Sequence, residues 1–212
     1  MNIIEPGFKV MTEINRCDIL KFIEECGRTC YKSEDKITED SASKFVRGLI
    51  NRNHTAMIEH FSITVKFICD RGVSHEIVRH RIASFAQEST RYCNYIKDDF
   101  GSEITVIKPL FLDEGTDGYN IWKASCQAAE DAYFDLLNWG CTAQEARSVL
   151  PNSLKTEIVV TMNLREWRHF FNLRALGTTG KPHPQMKEIA LPLLNYFKEA
   201  LPEVFDDLEV TE

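Results

Sequence analysis

The densest run of reactive side chains is Arg79-His80-Arg81, followed by Ser84, Gln87, Glu88, Ser89, Thr90 and Arg91. Planar guanidinium groups take phosphates and carboxylates bidentately, while the hydroxyls and the amide add neutral hydrogen bonds. The apolar spacing from Val73 to about Ile82 predicts a helix. Three consecutive helical residues fan over roughly 200°, so Arg79, His80 and Arg81 are not expected to face one small ligand. Either two ligands meet there or two subunits do. A solvated helix face running into a polar loop is the plainer alternative. A second basic set, Arg147, Arg165, Arg168 and Arg174, lies further along the chain. Arg165 and His169 are four apart, hence on one helix face. Ordinary pairing with the abundant carboxylates would account for any one of these arginines. His54 and His60 bracket Glu59 and read as structural, and His183 sits in a Pro-flanked loop that suits solvent.

Several familiar chemistries are excluded. His75-Glu76 begins like a zinc-protease helix, but His80 stands five residues after His75 and would point away from it. Neither Ser89 nor Ser153 sits in a Gly-x-Ser-x-Gly turn. No Gly-x-Gly-x-x-Gly and no P-loop is present, so a bound nucleotide would have to be held by side chains. The seven cysteines (Cys17, Cys26, Cys30, Cys69, Cys93, Cys126 and Cys141) are odd in number and form no Cys-x-x-Cys pair. They signal neither a disulfide framework nor a zinc site, and no metal is expected.

These groups must be positioned by elements legible in the hydrophobic pattern. Asp18 to Arg28 and Thr38 to Ile50 read as helices, the second with Glu39 and Asp40 in its first turn. Phe61, Ile63, Val65, Phe67 and Cys69 alternate with Ser62, Thr64 and Lys66, a strand with one buried face. Arg71-Gly72 breaks it, and after the helix at Val73 the stretch Ser84 to Asn94 reads as polar and irregular. Ile104 to Ile107 is a short strand, Tyr119 to Leu137 a long helix, and Ala143 to Leu150 a short helix stopped by Pro151. Thr156 to Met162 is β-branched and reads as a strand. Helices over Leu164 to Leu173 and Gln185 to Ala200 follow, around a Gly/Pro loop at 177–184. The fold class is α+β, with helices packed on a small, mainly antiparallel sheet.

At 212 residues, with 43% hydrophobic and 27% charged side chains, the chain suits one soluble domain over 1–212. A net charge of −7 argues against a nucleic-acid polymer as partner. No apolar run reaches the roughly 18 residues of a membrane span. The opening residues lack a signal peptide's pattern, and with the cysteines this gives a cytoplasmic expectation.

Taken together, Arg79-His80-Arg81, seven residues, then Ser89 resembles the signature of flavin-dependent thymidylate synthases. The wider string RHRIASFAQESTRY is similar to that family throughout, including Ser84 and Arg91. The stretch from His54 through Glu59-His60 resembles its upstream segment. Arg147-x-x-Leu150-Pro151 resembles its substrate segment, and Asn163-x-Arg165 through Asn172-Leu173-Arg174 its C-terminal one.

The resemblance implies a homotetramer with active sites at subunit interfaces. It implies methylene transfer from 5,10-methylenetetrahydrofolate to C5 of dUMP, with a hydride from FAD that NADPH has reduced. By position, it implies that Arg79, His80, Arg81, Ile82, Gln87, Asn163, Leu164, Arg165 and His169 contact FAD, with Ala56 and His183 as further contacts. Glu76, Arg79, Gln87, Glu88, Ser89, Thr90 and Arg91 would hold dUMP, with Arg147 from another subunit as a second phosphate ligand. Arg174 would lie against the pyrimidine and, with Ser89 as a positioned hydroxyl, carry the catalysis. The chain departs from the family pattern at Ala56, where many members have a hydroxyl, and at Glu76, where some have glutamine. Its loop from Leu176 to Pro184 looks longer than in compact members. A flavin reductase, a cysteine-dependent synthase built on Cys93, and a nucleotide-sensing module remain the alternatives.

Overall fold

The computed structural model describes residues 1–91, 95 and 103–209. Among these residues fourteen strands and helices follow in order, joined by short 3-10 and π turns. The strands are β1 (Asn2–Ile4), β2 (Gly7–Val10), β3 (Ser62–Asp70), β4 (Ser84–Gln87), β5 (Thr105–Ile107) and β6 (Lys155–Asn163). The helices are α1 (Arg16–Tyr31), α2 (Ser41–Asn51), α3 (Arg71–Ile77), α4 (Asp117–Asn138), α5 (Ala143–Ala146), α6 (Leu164–Phe171), α7 (Pro184–Ala200) and α8 (Pro202–Phe205). β1 pairs with β5 in parallel, and a four-stranded sheet has the order β2-β3-β6-β4. The fold class is the α+β one expected. No helix among the described residues is long and apolar enough to cross a membrane.

The chain divides into two compact units. The first comprises Met1–Phe8, Lys66–Arg79 and Phe85–Val159; the second comprises Lys9–Val65, His80–Ser84 and the chain from Val160 onward. In the first unit, Ile104, Val106, Cys126, Tyr133, Ala146 and Leu154 form a buried core against α4. Lys66 on β3 meets Glu157 on β6 at 2.7 Å, and Glu157 O accepts the Glu88 N–H at 2.9 Å.

In the second unit, Trp167, Phe170, Phe171, Phe197 and Phe205 pack edge to face and stacked, with centroids 5.2–5.9 Å apart. The Trp167 indole N–H donates to the Ile63 carbonyl at 3.0 Å, giving this aromatic core a fixed register on β3. The Leu164 N–H reaches Phe61 O, and the Thr64 and Thr161 hydroxyls meet at 2.9 Å. With the Lys66–Glu157 pair, these partners run in opposite directions, so β3 and β6 are antiparallel. Gly27 lets α1 approach α2: a Cβ there would fall 2.5 Å from the Phe45 ring.

Both long strands end on a side-chain cap that starts the next helix. Asp70 accepts from the Val73 N–H at 2.7 Å, and Asn163 accepts from the Glu166 N–H at 2.8 Å. Each cap satisfies an amide that the first helical turn cannot.

Four expectations need correction. α3 stops at Ile77, so Arg79, His80 and Arg81 follow it in a turn and coil and are not three helical residues. The helical fan therefore does not apply, and neither does the five-residue argument that turned His80 away from His75. Ser84–Gln87 is the edge strand β4 rather than irregular chain; the run to Asn94 extends beyond the described residues. The helix expected over Leu164 to Leu173 ends at Phe171 and passes into a π turn over Asn172–Leu176. Glu39 and Asp40 precede α2, which has no acidic residue in its first turn. β1 and β2, too short to show a period, were not expected at all.

Candidate functional site

In the second unit the site grows around His80, which is 3% exposed. His80 Nδ1 lies 3.1 Å from Glu166 Oε1, and its Nε2 accepts the Nε–H of Arg174 at 3.2 Å. The ring sits edge-on to Phe170 at 5.0 Å and to His169 at 5.6 Å. Burial, then the Arg174 guanidinium and His169, push the His80 imidazolium down to about 4. Burial also raises the Glu166 carboxyl, and His169 opposes that shift. At neutral pH His80 is therefore a neutral imidazole with one donor and one acceptor nitrogen.

Local structure explains this placement. The Asn163 cap starts α6 so that Glu166 falls in the first turn and His169 one turn later. Arg174 sits in the π turn, and π turns inside helices recur at functional sites. The turn closes on Gly177, at φ +73°, where a Cβ would come within 2.9 Å of Gly180 O and Pro182 Cδ. Only glycine fits that turn without strain.

A cavity of about 400 Å³ opens beside the cluster, lined by Glu59, Ile82, Asn163, Arg165, Glu166 and His169. Arg165 is paired with Glu59 across its mouth. Ile82, 68% exposed, offers an apolar face that water serves poorly and a flat ring would cover. Leu164 differs from its neighbours, being fully buried with its N–H bound to Phe61 O, so it packs under the site. Ala56 lies exposed in the turn over Thr55–His60, and His183 caps the start of α7. Arg81 is exposed directly after His80.

His80, Glu166 and His169 could in principle share a metal ion, since one ligand atom of each lies within 4.8 Å of the others. The chemistry of the set opposes it. Both His80 nitrogens already have partners, and the Arg174 cation touches one of them.

The first unit holds the other expected residues. The Gln87 amide donates to the Ser74 and Thr156 hydroxyls at 2.9 and 3.2 Å. Glu88 accepts from Lys155 Nζ at 3.1 Å and from the Glu157 N–H at 3.3 Å. The Arg147 guanidinium donates to the buried Thr90 hydroxyl at 3.3 Å, within its own chain. Ser89 Oγ accepts the Arg91 N–H at 3.3 Å, a contact that shapes the turn. The Arg79 N–H reaches Glu76 O just past α3, and the Arg79 side chain is exposed.

Two contacts were not foreseen, one inside the site and one outside it. Glu166, three residues after Asn163, carries the signal of a helix-start box, which hides its service to His80. Tyr31 meets His54 Nδ1 at 2.9 Å through its hydroxyl, a pairing that no spacing announces. Cys93 lies outside the described residues.

The fold is α+β, and its second unit gathers two arginines and two imidazoles, Arg165, Arg174, His80 and His169, about one cavity. A family model described as thymidylate synthase complementing protein matches residues 14–203. A flavin-dependent thymidylate synthase of Geobacter sulfurreducens is 33% identical over 187 residues, 85% of this chain and 78% of that protein. Another so named, of Corynebacterium aurimucosum, is 33% identical, covering 89% of this chain and 80% of its own length. The match to the Pyrococcus furiosus protein is 35% identical and covers 70% of this chain and 60% of that one. The chain belongs to the flavin-dependent thymidylate synthase family and is an enzyme of that class. In fold it is similar to a UMP/dUMP methylase, PolB from Streptomyces cacaoi, bound with 5-Br dUMP. That TM-score is 0.78 at 20% identity, over 97% of this chain and 96% of the other.

Proposed function

We propose that the protein converts dUMP to dTMP with 5,10-methylenetetrahydrofolate and NADPH, releasing tetrahydrofolate and NADP⁺. The observation that carries this reading is Arg174, held by a neutral His80 beside a cavity lined by Arg165, His169, Asn163 and exposed Ile82. That lining fits a flavin: an apolar face for a ring, imidazole for stacking and a guanidinium for phosphate. His80, Arg81, Ile82, Asn163, Arg165 and His169 would hold it, the family resemblance adds Arg79 and Gln87, and Ala56 could offer only its backbone. A bound FAD, reduced by NADPH, would supply the hydride that completes the methyl group.

The protein's own residues do the rest. Arg174 places fixed positive charge against the pyrimidine, where negative charge develops as C5 turns nucleophilic. Arg91 and Arg147 bind the nucleotide phosphate, Ser89 and Thr90 line its path, and Gln87 and Glu88 orient the sugar and base. Glu76 serves best at a sugar hydroxyl, because a carboxylate near phosphate would repel it. The active sites form at subunit interfaces of a homotetramer in the cytoplasm.

The UMP/dUMP methylase likeness makes the ribonucleotide the control substrate. A visible absorption spectrum of the purified protein, before and after heat release of any chromophore, tests the flavin step. Released FAD supports the reading and removes the sensing-module and cysteine-dependent alternatives. A colourless protein that also refuses added FAD overturns it.

A further inference from the structure

We propose that Glu166 is a positioning residue for catalysis: through the His80 ring it fixes the acceptor that orients the Arg174 guanidinium. The inference rests on the pyrimidine role given to Arg174 above.

The argument is one of hydrogen-bond parity. An ionised carboxylate only accepts, so Glu166 Oε1, 3.1 Å from Nδ1, requires the proton on Nδ1. Nε2 is then a lone pair, and it accepts the Arg174 Nε–H at 3.2 Å. In the other tautomer both contacts fail together, because Nε2–H would face Nε–H and the Nδ1 lone pair would face carboxylate oxygen. Protonating Glu166 has the same effect, since its new O–H would donate to Nδ1 and send the ring proton to Nε2. Protonating His80 makes both nitrogens donors and also loses Arg174.

All three residues are held by different means. Glu166 is fixed in the first turn of α6 by the Asn163 cap, His80 is wedged against Phe170, and Arg174 is carried by the π turn. The charged and titratable groups around them are His169 on α6, Arg165 and Glu59 across the cavity, and Arg174 itself. Burial, opposed by His169, leaves the Glu166 carboxyl above its ordinary range. The state that activity needs is therefore lost on the acid side of neutrality.

Glu166→Ala and the isosteric Glu166→Gln separate this from a packing role. Glu166→Ala should lower kcat about 10- to 100-fold while KM for dUMP changes less than about threefold and FAD stays bound. Glu166→Gln keeps an oxygen that can accept from Nδ1–H, so it should recover most of kcat and move the acid limb of the pH–kcat profile to lower pH, where His80 itself protonates. In an Arg174→Ala background, Glu166→Ala should change the residual rate by less than about twofold. Additive losses, a lost flavin, or an acid limb unchanged in Glu166→Gln would overturn the proposal. Nitrogen-15 NMR of histidine-labelled holoprotein gives a reading that needs no turnover. His80 should carry its proton on Nδ1 in the wild type and redistribute it in Glu166→Ala, and an unmoved tautomer would refute the link. A wild type that shows this tautomer but turns over no dUMP would fail the proposed function and leave the positioning intact.

Discussion

Arg174 reaches His80 with its Nε–H across 94 residues of sequence. The contact is made from the side of the guanidinium plane, so the imidazole sets the plane's orientation. A lysine has no such N–H and no plane. Arg174→Ala should lower kcat by about 10² to 10³ with FAD retained, and Arg174→Lys should recover little of it. Steady-state kinetics with flavin content by absorbance checks both, and near-normal kcat in either variant would remove the electrostatic role.

Arg81 and Arg165 stand on the flavin side of the proposal. Arg81→Ala and Arg165→Ala should each purify with less FAD and bind added FAD more weakly, by about tenfold for a lost charge-assisted contact. Flavin fluorescence titration reads this directly. Arg165→Ala carries a second effect, because it leaves Glu59 without its cation.

Gly177 closes the π turn in the left-handed region, against Gly180 O and Pro182 Cδ. Gly177→Ala should destabilise the protein by about 1–3 kcal/mol and depress kcat more than KM, because the turn that carries Arg174 must shift. Thermal unfolding with kinetics on the same preparation is the check.

Acid stability should show two successive losses as pH falls, the first from His80 and the second from Glu203. Burial would raise the Glu203 carboxyl, but hydrogen bonds from Arg16 and Ser43 outweigh it and hold it at about 2 against an ordinary 4.5. Its stabilisation is complete above about pH 4.5 and drains away as pH falls towards 2. His80 is also depressed, from 6.5 to about 4, but as a base. The unfolded chain binds its proton first, so stability already falls as pH drops from 6.5 to 4. Glu203→Gln should cost roughly 2–3 kcal/mol at pH 7 and flatten the lower limb. His80→Asn should flatten the upper one. Urea titrations across pH would resolve the two.

How legible was this in the sequence? The β3 face was plain, because Ile63, Val65, Phe67 and Cys69 are all fully buried and alternate without a break. β6 followed from its branched residues. β4 was not legible, since Ser84 to Gln87 is a largely exposed edge strand with no branched residue to mark a period. The end of α3 was hidden too. No glycine or proline stops it, and Val78 and Arg79 continue a plausible helical pattern. The arginines and histidines of the site were visible as types and spacings. Glu166 was not, because its bond to His80 spans 86 residues and its local context reads as a cap. Local pattern reports on neighbours in the chain, whereas the orienting contacts here are made in space.

The most direct measurement is tritium release from dUMP labelled at C5, by the flavin-loaded protein with methylenetetrahydrofolate and NADPH. Release should require all three small molecules together, fall by about 10² or more in Arg174→Ala, and yield dTMP in equal amount. Flavin-dependent NADPH oxidation with no tritium release would contradict the proposed reaction, leaving a flavin reductase that keeps the pocket but not the chemistry.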